Sequence, residues 1–269
     1  MKNQGFIKNS AHSSTSGNVM VIILIMIALL AAVTITITRM GDNTAEVSQE
    51  EASVIASQVL RQAKTMANGV DGLMGRGCSL NQLSFENSTV TGYLNVMSPS
   101  DKSCWLFDAS GAGLSFPIPP KSSNDGSNWI YAINNSVGGV GKERETGDLT
   151  ASNSADLIMF LRFTNNSVCK AINLQSGIAT SFQTAPPKLK NPLDLQRKFS
   201  MANNWDGYNN YSSGSVVGSV LFVDVYPFGT SPVYDKKTGC VEISGYNDES
   251  GNAQNPTSAY FFYQVLVER

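Results

Sequence analysis

Few residues in this chain are of the types and at the spacings that catalysis needs. The only histidine is His12, so Ser–His–Asp, Cys–His and His-ligated zinc sites have no histidine available after that residue. The acidic residues of the later chain are scattered and lie mostly beside turn residues, unlike the paired carboxylates of a glycosidase. The acids considered are Asp101, Asp108, Asp125, Asp156, Asp206, Asp224 and Glu242. We therefore predict a protein that is not an enzyme and has no cofactor.

Two polar segments carry side chains that could bind a ligand. Residues 247–252 cluster oxygen-bearing side chains around a glycine, but they lack the spacing and the closing glutamate of an EF-hand. A plain polar turn is therefore favoured there, and no metal site is predicted. Trp205, Tyr208 and Tyr211 share one loop with asparagines and a glycine, and such aromatic faces could form a sugar- or surface-binding patch. The alternative, which we favour, is a structured loop whose tryptophan packs into the core.

The four cysteines are Cys78, Cys104, Cys169 and Cys240. The absence of a close C-x-x-C pair argues against zinc, whereas an even number suits two disulfides in an oxidising compartment. Three pairings are open. We favour Cys78–Cys104, which would tie the end of a predicted long helix to the next strands, and Cys169–Cys240, which would join a predicted short helix to a strand. Buried free thiols are the alternative.

All four cysteines follow an apolar segment near the start of the chain. Residues 19–38 contain no charged residue, and 12 of these 20 are Ile, Leu or Val. A helix of that length is about 30 Å long, which matches the hydrocarbon core of a bilayer. We predict a transmembrane helix over residues 18–39. A cleaved secretory signal is the alternative, but its apolar core is shorter and ends in a small-residue cleavage site.

The charges that flank the apolar segment predict its orientation. Lys2 and Lys8 precede it, whereas Arg39 is the only cation close behind it and several acids follow. The positive-inside rule then favours a cytoplasmic leader at 1–17 and export of the chain after residue 39. The net charge is −2, and the sequence has no basic run or basic–aromatic face, so we predict the membrane and no nucleic acid as a partner.

The sequence after the apolar segment predicts that the same helix continues outside the membrane. Apolar residues recur there at near four-residue spacing, which is typical of an amphipathic helix. These residues are Val47, Ile55, Val59, Ala63 and Met66. We expect residues 40–69 to form this continuation without a break, with Asn68-Gly69 as its C-terminal stop, and to pack on a head domain at 70–269.

Short strand candidates separated by turn residues make up the head. The segments rich in β-branched and aromatic residues are 83–86, 104–108, 113–118, 129–133, 156–163, 216–226, 241–244 and 260–267. Residues 156–163 are apolar enough for a buried strand. The strands at 216–226 and 260–267 are dense in β-branched and aromatic residues, which predicts burial on both faces. Short helices are predicted at 165–174, capped by Asn165 or Asn166, and at 193–201, with a long loop at 134–155. Helices segregated from an antiparallel sheet indicate an α+β head.

A short basic leader, a transmembrane helix with an amphipathic continuation, and a cysteine-paired α+β head together resemble type IV pilins and pseudopilins. Residues 17–68 carry this resemblance, and 77–87, 101–113 and 260–269 are similar to segments of uncharacterised pilin-like proteins of Gram-negative bacteria. The resemblance implies an inner-membrane anchor with a cytoplasmic N-terminus and a periplasmic or extracellular head. It also implies other pilin-like subunits and assembly machinery as partners.

The resemblance is weaker at the processing site. In that family a peptidase cuts after glycine and before Phe or Met, and glutamate lies five residues into the mature chain. Gly17 is the fitting glycine, but Asn18 follows it and Ile22 occupies the glutamate position. Tip pseudopilins lack that glutamate, which implies a minor or tip position in a surface filament or secretion assembly. The rival hypothesis is a monomeric, single-pass anchored extracytoplasmic binding protein that does not polymerise.

Overall fold

A computed structural model of the chain describes residues 21–27, 47–140, 156–189, 193–195, 219–221, 232–248, 252–256 and 258–268. The chain divides into two compact units, residues 1–45 and 46–269. In the first unit residues 21–27 are helical, and all of their side chains are at least half exposed. No helix among the described residues is both long and apolar enough to cross a membrane; the rest of the span predicted at 18–39 lies outside them.

Helix α1 (Gln49–Gly75) begins at its own N-cap. Val47 and Ser48 are not helical, and the Ser48 Oγ accepts a hydrogen bond from the Glu51 backbone N–H at 3.3 Å. The prediction of one unbroken helix through residues 40–69 is therefore wrong. The reason for this new helix start is local. A serine followed three residues later by glutamate is a capping signature. The negative charges of Glu50 and Glu51 in the first turn are also stabilised by the positive end of the helix dipole.

The same helix also ends later than predicted. Asn68-Gly69 is not a stop, because α1 continues to Gly75. Gly69 instead allows a close approach, since a Cβ on this residue would lie 2.5 Å from the Leu114 side chain and 2.9 Å from that of Leu106. The helix ends just before Gly77, whose φ of 97° is the left-handed conformation that glycine commonly supplies after a helix C-terminus.

Eight strands follow α1 in the part of the chain that the structure describes. In chain order they are β1 (Ile130–Val137), β2 (Asp156–Leu161), β3 (Leu193–Asp194), β4 (Ser219–Leu221), β5 (Thr238–Ile243), β6 (Tyr246–Asn247), β7 (Ala253–Gln254) and β8 (Ala259–Val267). The main sheet pairs β1, β2, β8 and β5 antiparallel in that order, and β4 lies parallel to β1 at the edge. A small second sheet has the order β3-β6-β7. Together with α1 and helix α2 (Asn166–Gln175), this is a mixed helix and sheet fold with four antiparallel strands.

The main sheet is buried on both faces. The apolar stripe of α1 and the buried side of α2 share one core cluster with Tyr131 and Phe262 of the sheet and with Trp129, which directly precedes β1. The opposite face belongs to a second cluster, which includes Phe261 of β8. Every residue of β2 is buried. This two-sided burial explains why β2 and β8 are apolar runs rather than alternating patterns.

Several local predictions are confirmed. The strands predicted at 129–133, 156–163, 241–244 and 260–267 are present as β1, β2, β5 and β8. The helix predicted at 165–174 is α2, and the Asn165 side chain caps it by accepting from the Ser167 backbone N–H at 2.9 Å. Strand β1 runs to Val137, into the segment predicted as a loop at 134–155, and most of that segment lies outside the described residues, as does most of the strand predicted at 216–226.

The strands predicted at 83–86, 104–108 and 113–118 are wrong. The described part of the chain has only an isolated bridge there, between Ser84 and Trp105. The backbone donors are used in turns instead, because Asp101 accepts from the Ser103 backbone N–H at 2.9 Å and other Asp and Asn side chains nearby do the same. Such Asx turns compete with strand pairing, and aspartate between short apolar runs is the signal that the sequence interpretation underweighted.

The helix predicted at 193–201 is also wrong where it is described. Leu193–Asp194 is strand β3, which pairs parallel with Tyr246–Asn247 of β6. The Leu195 backbone N–H continues this pattern by donating to the Asn247 carbonyl at 3.0 Å. Tertiary pairing therefore overrides the local helical pattern at 193–195, and residues 196–201 lie outside the described ranges.

Candidate interaction surface

Two disulfides hold the described head together. Cys78–Cys104 joins the end of α1 to the turn-rich segment after it, and Cys169–Cys240 joins α2 to β5. This is the pairing that the sequence favoured, and no cysteine is free. All four side chains are buried, so the disulfides brace the head from inside and offer no thiol for chemistry.

A buried asparagine supports the second disulfide. Asn173 lies one helical turn after Cys169 on α2 and is only 1% exposed. Its Nδ2 donates to the Cys240 carbonyl at 2.7 Å, and its Oδ1 accepts from the Cys240 backbone N–H at 2.8 Å. The side-chain amide therefore pairs with β5 as a neighbouring strand would, which satisfies two buried backbone groups at the sheet edge.

The most concentrated exposed apolar surface in the described head is a loop that we call the Leu94–Met97 loop. Leu94 is 49% exposed, Val96 68% and Met97 59%. Scattered exposed apolar residues are ordinary on protein surfaces, whereas three within four positions form a local patch. The two residues that alternate with them, Tyr93 and Asn95, are 0% and 2% exposed, so the loop has buried anchors and apolar tips.

Asn95 anchors the loop by hydrogen bonds. Its Nδ2 donates to the carbonyls of Asn81 at 2.7 Å and Leu83 at 2.6 Å, while its Oδ1 accepts from the Met97 backbone N–H at 2.9 Å. All the hydrogen-bonding capacity of a buried amide has to be met for burial to be favourable. The side chain of Asn95 therefore holds the loop against the segment that follows the end of α1.

Tyr93 is the second anchor. Its Oη accepts from the Tyr131 backbone N–H of β1 at 3.1 Å, and its ring packs edge-on against the Tyr131 ring at 5.6 Å. Tyr131 also stacks on Phe85 at 4.5 Å, and the rings of Phe107 and Phe116 complete the cluster. The loop is thus attached to the main sheet through an aromatic core.

The buried tyrosines make the fold sensitive to alkali. Burial, with a smaller contribution from Tyr93, raises the pKa of Tyr131 well above its ordinary value of 10.0, and burial also raises the pKa of Tyr263. Because the folded state binds these protons more tightly than the unfolded chain, this stability is fully present below about pH 10 and is lost as the pH rises further. We expect the buried tyrosines to ionise together with the loss of the circular dichroism signal.

A single substitution provides the control for this alkaline transition. The Tyr131 hydroxyl is buried without a hydrogen-bond partner among the described residues, so Tyr131→Phe removes only an unpaired polar group and should leave stability at neutral pH unchanged or slightly higher. It should move the alkaline transition to higher pH. Ionisation of every tyrosine while the circular dichroism signal persists would contradict the prediction.

The loop and its flanks carry no charge. No Asp, Glu, Lys or Arg lies between residues 87 and 100. The nearest following acid, Asp101, accepts from Ser103, whose hydroxyl and backbone N–H lower the pKa of this carboxyl. The surface therefore presents aliphatic and thioether groups among Ser, Thr and Asn. This chemistry suits contact with another apolar surface and not the binding of an ion or a charged substrate.

Two of the acids considered for catalysis, Asp108 and Asp156, are engaged in structural contacts. The Ser110 backbone N–H, followed by Lys102, lowers the pKa of Asp108, whereas a general acid needs a raised pKa. Asp156 is buried and accepts from the Val137 backbone N–H at 2.9 Å. No group of three or more His, Cys, Asp or Glu that could hold a metal occurs among the described residues.

The polar turn considered for calcium is a hairpin between β6 and β7 in its described part. The Asp248 carboxylate accepts from the Asn252 backbone N–H at 2.9 Å and from the Gln254 Nε2 at 3.1 Å. Its oxygens thus accept hydrogen bonds within the turn. Residues 249–251 lie outside the described ranges, and so do the predicted site residues Gly17, Asn18, Trp205, Tyr208 and Tyr211.

The Leu94–Met97 loop is a feature that the sequence interpretation missed. Residues 93–97 read Tyr-Leu-Asn-Val-Met, with the polar residue in the middle of an apolar run and no strand pattern around it. A central asparagine in such a run is a signal for a buried amide with apolar neighbours turned outward, because the amide must reach backbone groups.

Comparisons with known proteins do not assign the chain to a family. No protein family model, curated protein or solved structure matches it.

Proposed function

We propose that this chain is a non-enzymatic, inner-membrane-anchored subunit similar to type IV pilins and pseudopilins, which acts through protein contacts of an exported head. The observation that carries the proposal is the packing of α1. This helix follows the apolar segment at 19–38 in the chain and lies with its apolar stripe on an antiparallel sheet. In the pilin family the second half of the first helix lies against the head sheet in the same manner.

The two faces of α1 differ in the way that this role requires. One face is buried, and its residues are Ala52, Ile55, Ala56, Val59, Ala63, Met66, Ala67, Val70 and Leu73. The outer face is mostly polar or charged, with Val54 and Met74 as its exposed large apolar residues. The burial of a long stripe makes α1 part of the head rather than a solvated linker, so contacts made by the head are rigidly tied to the helix.

The compartment that the disulfides favour and the membrane anchor expected at 19–38 support the same role. The two buried disulfides suit an oxidising, extracytoplasmic location, and the segment at 19–38 has the length and composition of a membrane anchor. Lys2 and Lys8 before this segment favour a cytoplasmic leader. These features together favour a single-pass protein with its head in the periplasm or at the cell surface.

The departures from a major pilin favour a minor or tip position. Ile22 occupies the position of the glutamate that pairs with a neighbour's amine in pilin filaments. A subunit in the shaft needs the charge partner, because a buried unpaired amine is costly. A subunit at the tip, with no subunit above it, does not.

The second candidate function is a monomeric anchored binding protein that does not polymerise. The Ser48 cap favours it, because α1 begins at its own N-cap rather than as the continuation of an earlier helix. Both candidates are non-enzymatic and exported. They differ in whether the apolar segments of two copies pack together.

Cross-linking separates these two functions. Single cysteines at Ile25 and Leu29 in the full chain, expressed with the pilus or secretion machinery, should give cross-linked species if the segment packs in an assembly. A monomer band under all conditions would favour the anchored binding protein. A reporter fused after Arg269 should be active only in the exported compartment, and cytoplasmic activity would contradict both functions.

N-terminal sequencing of the mature protein tests the processing site directly. Cleavage between Gly17 and Asn18 would make this a processed pilin-like subunit despite its atypical residues. An intact leader would leave a signal anchor. We expect the bond to remain intact, because two of the three recognition features, the residue after the glycine and the glutamate, are absent.

A further inference from the structure

We infer that a dithiol–disulfide oxidase of the exported compartment acts on this chain during folding, and that it closes the two disulfides in the order in which the cysteines are exported. Cys78–Cys104 then forms first and Cys169–Cys240 second, so no disulfide isomerase is needed. The inference rests on the proposed export of the head, and it adds the class of enzyme that must act on the chain before the head is complete.

The native pairing joins cysteines that are neighbours along the chain. Cys78 pairs with Cys104 and Cys169 pairs with Cys240, at sequence separations of 26 and 71 residues. Each of the two other pairings has to close a longer loop, from Cys240 back to Cys78 or to Cys104, which costs more chain entropy. Once the first two cysteines are paired, the third has only the fourth as its partner. Oxidation in chain order therefore produces the native pairing directly.

The topology of the main sheet delays the burial of the second cysteine pair. Strand β8 lies between β2 and β5 in the sheet but follows both of them in the chain. Cys240 of β5 pairs with Phe262 of β8, and Cys169 of α2 belongs to the same core cluster as Phe262. Because this core cannot close before β8 is exported, both thiols stay open to an enzyme until then.

Folding then removes the access of the enzyme. Cys169 and Cys240 are 0% exposed in the folded head, and Cys78 and Cys104 are also buried. Besides its pairing with β8, Cys240 has both of its backbone groups bonded to the side-chain amide of Asn173 on α2. Thiol–disulfide exchange needs direct attack of one sulfur on another, and the sulfur of an oxidase cannot reach these buried positions. Oxidation therefore precedes closure of the sheet.

Each disulfide forms by two successive thiol–disulfide exchanges. The thiolate of one cysteine attacks the disulfide of the oxidase, which gives a mixed disulfide and releases one enzyme thiolate. The thiolate of the second cysteine then attacks the sulfur of the first in the mixed disulfide and releases the other enzyme thiolate. For each bond the chain loses two protons and two electrons, and the oxidase gains them as its dithiol form.

The spacing of the cysteines gives the first disulfide time to form. After Cys104, residues 105–169 have to be exported before Cys169 is free. Synthesis of these about 65 residues takes roughly 3–13 s at about 5–20 residues/s, and disulfide formation takes seconds with an efficient oxidant. Cys78–Cys104 can therefore close before Cys169 is exported. A similar interval separates Cys169 from Cys240, because these two cysteines are 71 residues apart.

Two single substitutions in the full chain distinguish oxidation in chain order from pairing that is guided by the fold. Both variants are exported in a host that has the oxidase but lacks the disulfide isomerase, and free thiols are alkylated before peptide mapping. Cys78→Ser leaves Cys104 unpaired when Cys169 is exported, so Cys104–Cys169 should be the main disulfide. Cys240→Ser is the matched control, and it should keep Cys78–Cys104 and a free thiol at Cys169. Cys169–Cys240 as the main disulfide of the Cys78→Ser variant would overturn the inference.

The unsubstituted chain provides the second measurement. Loss of the isomerase should leave both native disulfides at their normal level, whereas loss of the oxidase should lower the oxidised fraction several-fold. Pulse labelling followed by alkylation should show Cys78–Cys104 before Cys169–Cys240. A requirement for the isomerase, full oxidation without the oxidase, or the reverse order overturns the inference and leaves an exported head intact. Four free thiols even in a host with both enzymes would contradict export of the head, and with it the proposed function.

Discussion

Replacing Asn173 with alanine is expected to destabilise the head by about 2–5 kcal/mol, which is a large part of the stability of a typical domain. The substitution leaves the backbone N–H and carbonyl of Cys240 without the amide that binds both. Cys240 is fully buried, so water does not readily replace the lost partner. Urea unfolding of the full chain in detergent, followed by circular dichroism, measures the change.

Gln175→Ala is the matched control for this prediction. Gln175 lies on the same helix but is exposed, and it bonds Ser53 and Ser57 across the surface between α2 and α1. Exposed hydrogen bonds exchange readily with water, so this control should change the free energy of unfolding by less than about 1 kcal/mol. Equal effects of the two substitutions would mean that the Asn173 amide does not act as a strand partner for β5.

The fold was predictable where the signal was local or strongly apolar. After Asp156, strand β2 is an uninterrupted apolar run, and its burial on both faces was foreseeable because a half-exposed strand would alternate. Helix α2 has a capping asparagine and an apolar face, and both are local features. The Cys169–Cys240 pairing also followed from elements that were placed correctly, namely α2 and the start of β5.

The fold was not predictable where long-range contacts or competing local bonds decide the structure. Gly69 looks like a helix stop, and only its packing against Leu106 and Leu114 shows that it serves a close approach inside α1. The start of α1, in contrast, was predictable from the sequence. Ser48 followed three residues later by Glu51 is a capping signature, and it marks the residue at which this helix begins. The Leu94–Met97 loop depends on a side chain that reaches residues 81 and 83, which no periodicity reveals.

Removing the Cys169–Cys240 disulfide is expected to destabilise the head by about 4.4 kcal/mol, and removing Cys78–Cys104 by about 3.5 kcal/mol. The order follows from the sequence separations of 71 and 26 residues, because closing a longer loop removes more entropy from the unfolded chain. Paired Cys→Ala substitutions avoid leaving a single thiol that could form a wrong disulfide. Urea unfolding measures the stability of each variant, and a stabilising osmolyte in the buffer keeps the unfolding transition of both destabilised variants measurable.

The Cys169–Cys240 disulfide and Asn173 act on the same junction between α2 and β5, so their effects should not add. With the disulfide intact, Asn173→Ala leaves two backbone groups trapped in a closed junction. Without the disulfide, the junction can open enough for water to reach them, and the asparagine then contributes less. We expect the triple variant to be less destabilised than the sum of its parts by about 0.5–3 kcal/mol. Additive effects would show that the junction stays closed without its disulfide, and that the amide alone holds β5 against α2.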